Sequence, residues 1–375
     1  MKDILVVGGG IGGITAALAL RSSSARVTLV EREPAFSPVG AGIVLAPNAT
    51  AILSRLGVDA ASYGERVDVL AIRTAEGDTL QRVDLRPWRE SHGCSYAFHR
   101  AELHQGLIAA LSSEVEVRLA LSLAELAEDA DGVNVRFSDA STRRFDLVVG
   151  ADGIHSLTRA QAGVEAAVRY SGYTCWRAVC PNPGVREGFE AWGRGSRFGV
   201  VLLRGERVYA FLVATAPQRA PDLAWPDGFD RLFGGYGAPC GDVLAAMDGV
   251  SLMHHDLEEL DEPVWGTARV WLLGDAAHAM TPNLGQGAAM AIEDAFVLAS
   301  SLAGDLAAAR SRYVEARHRR VRKVQLDSRR FGRVAHWQHG AAVWARDRLI
   351  RLMPRTVSDR QFLGVVEPGL ALARA

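Results

Sequence analysis

A glycine-rich turn near the N-terminus constrains the fold of this chain more than any other feature. The apolar run Ile4–Val7 predicts a buried strand, and Gly8-Gly-Gly-Ile-Gly-Gly13 follows it directly. Glycines at this spacing make a tight turn and let the backbone approach a pyrophosphate, which the free amides of the following helix would face. A second strand, 26–30, ends on Glu31, whose carboxylate can bind ribose hydroxyls. The pattern predicts a dinucleotide-binding unit.

This unit supplies the first candidate cofactor contacts. Because an acidic residue disfavours a 2′-phosphate, Glu31 favours FAD or NAD over NADP. The predicted contacts with the dinucleotide are Gly8, Gly10, Ile11, Gly12, Gly13, Glu31 and Arg32.

A second stretch, Val270–Gly287, combines an apolar strand, a carboxylate and a helix start. Val270–Leu273 predicts a buried strand that ends at Gly274-Asp275, and glycines at 285 and 287 open a helix running to about Ser301. Asp275 can accept hydrogen bonds from a polyol, and free amides at the helix start can stabilise an anionic ring. Reduced flavin carries both a polyol chain and an anionic ring. The candidate flavin contacts are Asp275, Pro282, Gly285, Gln286, Gly287 and Ala288.

Three motifs together resemble the FAD-dependent aromatic hydroxylase family, the single-component flavoprotein monooxygenases. They are Gly8–Gly13 with Glu31-Arg32, the segment Asp146–Ser156 (DLVVGADGIHS) with Arg159 beyond it, and Gly274–Gly287. The resemblance covers roughly residues 3–335 and is closest to the branch of salicylate and urate hydroxylases, zeaxanthin epoxidase and tetracycline-inactivating monooxygenases. It implies bound FAD, NADH or NADPH as a transient electron donor, and oxygen transfer from a flavin C4a-hydroperoxide to an aromatic, heteroaromatic or polyketide-like small molecule.

The resemblance also implies further cofactor residues. Arg100 would reach flavin phosphate or ribityl oxygens, and the alternative is that it forms an ion pair on the surface. Asp152 would lie near the FAD pyrophosphate, or it simply caps the next turn with Ser156 and Arg159 as partners. Around Gly40, Gly42 and Asn48 the chain would pass beside the flavin, or it is only a loop leading into a helix. His99 and His104 are predicted to be surface or capping residues.

The segment from about 170 to 213 is rich in β-branched and aromatic residues and predicts a second sheet. If the turn Arg204-Gly205-Glu206 is symmetric about Gly205, odd-numbered residues on both strands share a face. Arg197 and Tyr209 would then lie two pairs apart on one side. In the family this sheet roofs the flavin, so both are candidate catalytic residues that hold substrate, and Tyr209 could relay a proton. The alternative is an edge arginine beside a packed tyrosine.

The predicted fold is α/β: a Rossmann-like FAD-binding domain interleaved with a mixed β-sheet substrate domain and followed by a C-terminal helix. The predicted FAD-binding domain comprises 1–70, 98–165 and 265–335, the substrate domain comprises 71–97 and 166–264, and 336–375 is a helical tail. Residues 214–262 are expected to be loop and helix. The arginine-rich stretch 310–333 predicts one solvated face of a long helix.

Composition excludes several other classes. The net charge of −1 over 375 residues gives no overall field to attract nucleic acid or membrane. The four cysteines form no CxxC pair and His254-His255-Asp256 lacks metal-site spacing, so neither a metal site nor a dithiol reductase is expected. We expect a cytoplasmic monomer or homodimer acting on a small molecule and dioxygen. An epoxidase, another flavin-dependent oxidoreductase and a non-catalytic flavin-binding protein stay open as alternatives.

Overall fold

Strands and helices alternate through the first part of the chain, as the sequence predicts. The computed structural model describes residues 1–21, 25–36, 41–302 and 304–374. The strands are β1 (Asp3–Val7), β2 (Arg26–Val30), β3 (Gly42–Leu45), β4 (Glu65–Val67), β5 (Val69–Thr74), β6 (Thr79–Asp84), β7 (Ser95–His99), β8 (Glu116–Arg118), β9 (Leu123–Glu128), β10 (Val133–Phe137), β11 (Thr142–Phe145), β12 (Leu147–Gly150), β13 (Val168–Pro181), β14 (Phe189–Trp192), β15 (Ser196–Leu203), β16 (Arg207–Thr215), β17 (Met253–Leu260) and β18 (Val270–Leu272).

Helices pack against the sheets and form the C-terminal part. They are α1 (Ile11–Leu20), α2 (Pro47–Arg55), α3 (Ala60–Tyr63), α4 (Arg89–His92), α5 (Arg100–Ala110), α6 (Leu157–Gln161), α7 (Asp227–Phe233), α8 (Cys240–Ala246), α9 (Asp275–His278), α10 (Gly287–Ser301), α11 (Leu306–Ala335), α12 (Gly340–Leu352) and α13 (Arg355–Arg374). Two short 3₁₀ turns, Arg86–Trp88 and Pro282–Leu284, complete the described elements.

One half of the protein is built on a five-stranded parallel sheet in the order β18-β12-β1-β2-β8. Its central strand β1 is fully buried at Ile4, Leu5 and Val6, because helices or loops cover both faces of a parallel sheet. The carboxyl ends of β1, β12 and β18 meet at one edge. The loops that follow these strands carry the three sequence motifs, so the fold brings the motifs together at the place where open α/β sheets bind ligands.

The second half is a seven-stranded mixed sheet in the order β17-β13-β16-β15-β14-β5-β6, with β14 and β5 as its parallel pair. Leu203 pairs with Arg207 and Val201 pairs with Tyr209, which confirms the register predicted from a turn symmetric about Gly205. Even-numbered side chains of β15 and β16 pack against α7 and α8 in a buried apolar cluster. The odd-numbered face is therefore turned away from these helices.

One part of this sheet was not predicted. The expectation of loop and helix over 214–262 is right for α7 and α8 but wrong for Met253–Leu260, which forms the edge strand β17. The polar run His254-His255-Asp256 hides the strand pattern, because an edge strand buries few of its side chains. Only Leu257, Glu259 and Leu260 are buried there.

The C-terminal part contains one helix more than the sequence indicates. The long helix α11 buries Tyr313, Val321 and Val324 and exposes much of its arginine-rich side, as predicted. The predicted tail 336–375 contains two helices rather than the single C-terminal helix expected, because α12 ends at Leu352 and α13 then continues to Arg374. Proline at 368 and glycines at 364 and 369 oppose helix formation, so the pattern gives no signal for α13. Among the described residues, no helix has both the length and the apolarity to cross a bilayer.

The division into two interleaved domains stays a prediction. All five strands of the parallel sheet fall within the segments 1–70, 98–165 and 265–335. β5 begins at Val69 and pairs within the seven-stranded sheet, so we place the first boundary just before it rather than at residue 70.

Candidate active site

The glycine turn after β1 has the geometry that a pyrophosphate needs. Gly8 has a φ of +107° and its N–H donates to Val30 O at 2.9 Å. A Cβ at Gly13 would lie 1.8 Å from Gly8 O, so only glycine fits where the turn meets α1. Above Gly10, by contrast, a Cβ would meet nothing within 4 Å. The N-cap residue Gly10 supplies no side-chain cap, which leaves the first amides of α1, from Ile11 onward, facing this open space.

The acid at the end of β2 is held against this turn. Glu31 Oε2 accepts a hydrogen bond from Gly9 N–H at 2.6 Å, and Oε1 accepts one from Glu33 N–H at 3.0 Å. Its neighbour Arg32 is 79% exposed and contacts Glu33 at 3.4 Å, so Arg32 takes no part in ordering the turn. Gly12 lies on the opposite side, where a Cβ would meet the Leu273 side chain. A ribose contact by Glu31 and a dinucleotide contact by Arg32 stay predictions.

His104 has a role that sequence reasoning missed. Its Nε2–H donates to Gly9 O at 2.6 Å, and its ring packs edge-on against Phe36. His104 lies one helical turn after Arg100 on α5, so the i, i+4 spacing was the available signal. His99 is the N-cap of α5 and accepts from Ala101 N–H, as its predicted capping role requires.

Arg100 and Asp275 are two charged side chains without partners. Neither makes a side-chain hydrogen bond or an ion pair within the described ranges 1–21, 25–36, 41–302 and 304–374, and both are exposed. Asp275 begins α9, directly after Gly274, and its side chain reaches solvent although protein atoms surround much of it. Burial raises the pKa of its carboxyl group, although the charges of His278 and Arg100 act in the opposite direction. A solvent-accessible carboxylate and guanidinium that lack protein partners fit a polyol bearing a phosphate.

The start of α10 is the third part of the cleft. The turn Pro282–Leu284 leads to Gly285 in the left-handed region, and the helix begins at Gly287 with no side-chain cap. The amides of Gly287 and Ala288 are therefore free of intrahelical partners. Cβ atoms at 285 and 287 would meet nothing within 4 Å, so open space lies in front of these donors. This arrangement can stabilise a negative charge.

Buried side chains support that helix start from behind. Asn48 is fully buried and its amide donates to Gln286 Oε1 at 3.0 Å and to Glu293 Oε1 at 2.8 Å. Glu293 also accepts from Arg317 and Arg320, each at 2.6 Å. Asn48, a modest candidate for cofactor contact, thus lies beneath Gln286 rather than in the cleft.

Asp294 ties α9 to α10 and α11. It accepts from Gly274 N–H at 3.0 Å, contacts His278 Nε2 at 2.5 Å and accepts from Arg317 at 2.7 Å. Burial alone would raise its pKa, but His278 and Arg317 hold the pKa of Asp294 at about 2. The sequence offered one signal for Arg317: it follows Tyr313 by four residues and precedes Val321 by four, so it lies on the buried stripe of α11.

The carboxylate of Asp152 caps the turn that follows β12. It accepts from the Ser156 hydroxyl at 2.5 Å and from the N–H and hydroxyl of Thr158, both at 2.9 Å. Arg159 instead donates to Ala276 O and Ile154 O, which joins this turn to α9. The alternative that Asp152 caps this turn is therefore right for its predicted partner Ser156 and wrong for its predicted partner Arg159. A cofactor contact by Asp152 stays a prediction.

Arg197 is enclosed between the two halves of the protein. It is 2% exposed, lies on β15 in the interior of the sheet, and so is not an edge arginine. Its guanidinium donates to Glu190 at 2.9 Å, to Asn283 Oδ1 at 2.8 Å and to His336 Nε2 at 3.0 Å. It also lies over the Tyr173 ring at 5.8 Å. These contacts link the seven-stranded sheet to the loop before α10, and a direct substrate contact by Arg197 stays a prediction.

Tyr209 packs directly on Gly42, the first residue of β3. A Cβ at Gly42 would lie 2.3 Å from Tyr209 Cγ, whereas Gly40 lies outside the described residues. Burial raises the pKa of the Tyr209 phenol far above its ordinary value, although the nearby Arg177 guanidinium acts in the opposite direction. The phenol therefore stays protonated near neutral pH and keeps a proton that it could donate in a hydrogen bond.

A partly exposed and largely apolar surface lies beside Tyr209, where the odd-numbered face of the sheet meets the strands β3, β4 and β7, and we call it the cleft beside Tyr209. Arg177 pairs with Phe211 across β13 and β16, and Val179 pairs with Tyr209. The partly exposed apolar side chains that line the cleft are Val44, Val67, Val179, Val201 and Phe211. Arg177 is the polar residue here that sequence reasoning missed, because its position depends on a pairing between distant strands.

The described residues fit FAD. Open space at Gly10 adjoins the pyrophosphate-type turn, an unpaired carboxylate and guanidinium suit the ribityl chain and phosphate, and free amides at Gly287 suit an anionic ring. Within the described part of the chain, no group of three or more His, Cys, Asp or Glu side chains has the arrangement of a metal site.

Comparison with known proteins agrees with this geometry. Residues 1–328 match the family model described as FAD binding domain. The chain is 37% identical over 370 residues to an aurachin C monooxygenase/isomerase of Stigmatella aurantiaca, covering 95% of each chain. It is 36% identical over 382 residues to the 2-heptyl-3-hydroxy-4(1H)-quinolone synthase of Pseudomonas aeruginosa, covering 97% of this chain and 98% of that one.

The solved structures include a similar overall fold. Klebsiella pneumoniae HpxO complexed with FAD and uric acid superposes with a TM-score of 0.88 at 28% identity, covering 99% of this chain and 97% of that one. The chain belongs to the FAD-dependent aromatic hydroxylases, which confirms the α/β fold class, the FAD cofactor and the monooxygenase class predicted from its sequence.

Proposed function

We propose that this FAD-dependent monooxygenase uses NADH or NADPH and dioxygen to hydroxylate a heteroaromatic ring that carries an oxo or hydroxyl group and an apolar substituent. The observation that carries the substrate class is the cleft beside Tyr209, which combines five aliphatic or aromatic side chains with one guanidinium, Arg177. An apolar cleft with few polar groups binds a mostly apolar ligand and orients it through those groups.

The names of two relatives support this class. One relative forms a 2-heptyl-3-hydroxy-4(1H)-quinolone, a ring with an oxygen substituent and a seven-carbon chain, and HpxO was solved with uric acid, a polar ring with no chain. The lining of the cleft in this chain favours the first kind of ligand, because aliphatic side chains such as Val179 and Val201 gain from contact with an alkyl chain.

When bound, FAD accepts two electrons from the nicotinamide donor and supplies the oxygen activation that places one oxygen atom on the ring. Arg100 and Asp275 would hold its phosphate and ribityl groups, and the free amides at Gly287 and Ala288 would stabilise negative charge on its ring. Candidate contacts with the dinucleotide at Gly8, Gly10 and Glu31 belong to the same proposal.

Arg177 and Tyr209 would bind the oxygen substituent of the substrate. The protonated phenol and the guanidinium are both donors, so together they favour a substrate oxygen with developing negative charge. This is a donor role for Tyr209, and the raised pKa of its phenol disfavours proton abstraction. Arg197 would act through Asn283, by fixing the loop before α10.

A substrate comparison tests the proposal. NADH and NADPH oxidation by the FAD-loaded protein would be measured with 2-heptyl-4(1H)-quinolone, with unsubstituted 4(1H)-quinolone and with uric acid. We expect strongest stimulation by the heptyl compound and a lower KM than for the ring alone. Equal stimulation by uric acid would contradict the substrate class, and an epoxide product would favour the alternative oxygenation. A cytoplasmic location, where the nicotinamide donors are available, and a monomeric or homodimeric state are part of the same proposal.

A further inference from the structure

The outward face of α12 exposes large apolar side chains. Trp344 is 69% exposed, and Leu349 and Leu352 are each 67% exposed. Apart from Met1, no large apolar side chain among the described residues is as exposed as these three. Trp337 just before the helix and Val357 after it are also exposed, at 40% and 38%. Single exposed leucines are ordinary, but three on one helix mark a binding surface.

The opposite face of α12 is firmly packed, so the apolar face is not free to turn inward. Arg346 is 1% exposed and donates to Ala335 O at 3.0 Å and to Gly193 O at 3.3 Å. Its guanidinium also lies 5.3 Å from the Trp192 ring and pairs with Asp347 at 2.8 Å. The rest of the protein therefore fixes the side of α12 that faces outward.

Positive charge surrounds the apolar face. Between residues 337 and 360 there are five arginines and two aspartates, whereas the whole chain has a net charge of −1. Asp347 is paired with the buried Arg346. Arg348, Arg355 and Arg360 are exposed, and none of them forms an ion pair within the described ranges. Arg351 reaches Asp78 at 3.4 Å, in an exposed pair that salt would weaken.

We infer that this face of α12, defined by Trp344, Leu349, Leu352, Arg348 and Arg355, docks on an anionic lipid membrane surface. Tryptophan and leucine insert at the boundary between head groups and acyl chains, while arginines bind the phosphates, so one occupant satisfies both parts of the face. A second copy related by a two-fold axis would bring the arginines of both copies together, with Asp359 as the one carboxylate of this stretch that is not already paired with a buried arginine. A nucleic acid would leave Leu349 and Leu352 without apolar partners. The surface goes beyond the proposed function and requires no particular substrate.

Vesicle flotation of the full-length, FAD-loaded protein tests the inference. We expect binding to vesicles of phosphatidylglycerol and phosphatidylcholine at low salt, weaker binding at high salt, and little binding to phosphatidylcholine alone. Arg348→Gln should lower the partition coefficient about fivefold, since each arginine near an anionic surface contributes on the order of 1 kcal/mol. Trp344→Ser combined with Leu352→Ser should abolish flotation, with unchanged FAD content and NAD(P)H oxidation.

Matched controls lie elsewhere on the surface. Leu232→Ser removes a leucine that is 40% exposed on α7, and Arg330→Gln removes an arginine whose side chain is 73% exposed on α11. Both should float like the parent protein. No binding to anionic vesicles, or equal loss in the controls, would overturn the inference. A dimer in light scattering that Trp344→Ser converts to a monomer would also overturn it. An affinity for a DNA duplex equal to that for anionic vesicles would do the same.

Discussion

Gly42 lies so close to Tyr209 that a Cβ atom on residue 42 would stand 2.3 Å from the ring carbon Cγ. The contact joins β3 to β16 in the seven-stranded sheet. It therefore fixes the distance between the proposed positions of flavin and substrate.

Replacing Gly42 by alanine should displace Tyr209. The φ angle of Gly42 is not in the left-handed region, so the conflict is steric and should lower the free energy of unfolding by about 1–3 kcal/mol. We expect a lower kcat/KM together with more uncoupled NAD(P)H oxidation. Gly241→Ala is the matched control, because a Cβ there meets nothing within 4 Å. A Gly42→Ala variant with the kinetics and stability of the parent would contradict the contact.

Asn48 should control FAD affinity from behind the helix start. Asn48→Ala removes hydrogen bonds to Gln286 and Glu293 and should cost about 2 kcal/mol of stability. Asn48→Asp should cost more, because it places a second carboxylate against Glu293. Urea unfolding measures the loss of stability in each variant. A fluorescence titration with FAD measures the weaker FAD binding that we expect to accompany it. If Asn48→Asp were as stable as the parent, the assigned hydrogen bonds would be wrong.

Removing Arg317 should leave two buried carboxylates without their main partner. Arg317 is fully buried and pairs with Glu293 at 2.6 Å and with Asp294 at 2.7 Å. Arg317→Met should lower the free energy of unfolding by about 3–5 kcal/mol. The exposed pair of Lys323 and Asp327 provides a control, since Lys323→Met should change stability by less than about 1 kcal/mol. Equal effects of the two substitutions would argue against the buried network.

Asp294 should make stability depend on acidic pH. Its pKa is lowered from 3.8 to about 2 in the folded protein, so its contribution is present above pH 3.8 and is lost as pH falls through about 2. Between pH 3.8 and about 2, the free energy of unfolding should therefore fall more in the parent protein than in the Asp294→Asn variant. Unfolding curves at a series of pH values measure the difference. Parallel pH dependences for the two proteins would refute the assignment.

Arg177 and Tyr209 should contribute unequally to substrate binding. Loss of one neutral hydrogen bond in Tyr209→Phe should lower kcat/KM about tenfold, and loss of a charged donor in Arg177→Met should lower it about thirtyfold or more. Because burial keeps the Tyr209 phenol protonated, no Tyr209-dependent step should appear in the kcat/KM profile around neutral pH. The exposed Arg186 provides the control Arg186→Met. Unchanged turnover and coupling in Tyr209→Phe would remove it from the site.

Local patterns were sufficient for much of this fold. The register of β15 and β16 followed from a turn centred on Gly205, because strand pairing on either side of a tight turn leaves little freedom. The dinucleotide turn at Gly8 and the helix start at Gly287 could likewise be predicted, since the spacing of the glycines indicates where the backbone must turn tightly. Both features depend on neighbours within a few residues along the chain.

The side-chain contacts of the site depend instead on distant segments. Arg197 was predicted on the right face, but its partners Asn283 and His336 come from two other parts of the chain, and these contacts enclose it. Arg177 meets Tyr209 only after β13 and β16 pair. A single sequence carries no signal for such pairings, so the shape of the cleft could not be predicted even though its cofactor could.

The most direct test of the central claim is the fate of labelled dioxygen. FAD-loaded protein would be incubated with NAD(P)H, oxygen-18-labelled dioxygen and 2-heptyl-4(1H)-quinolone, and the product analysed by mass spectrometry. A monooxygenase acting in the cleft beside Tyr209 should place one labelled atom on the ring, and Arg177→Met should reduce the amount of labelled product. Donor oxidation that yields only peroxide with every ring compound tested, or a product without label, would contradict the account.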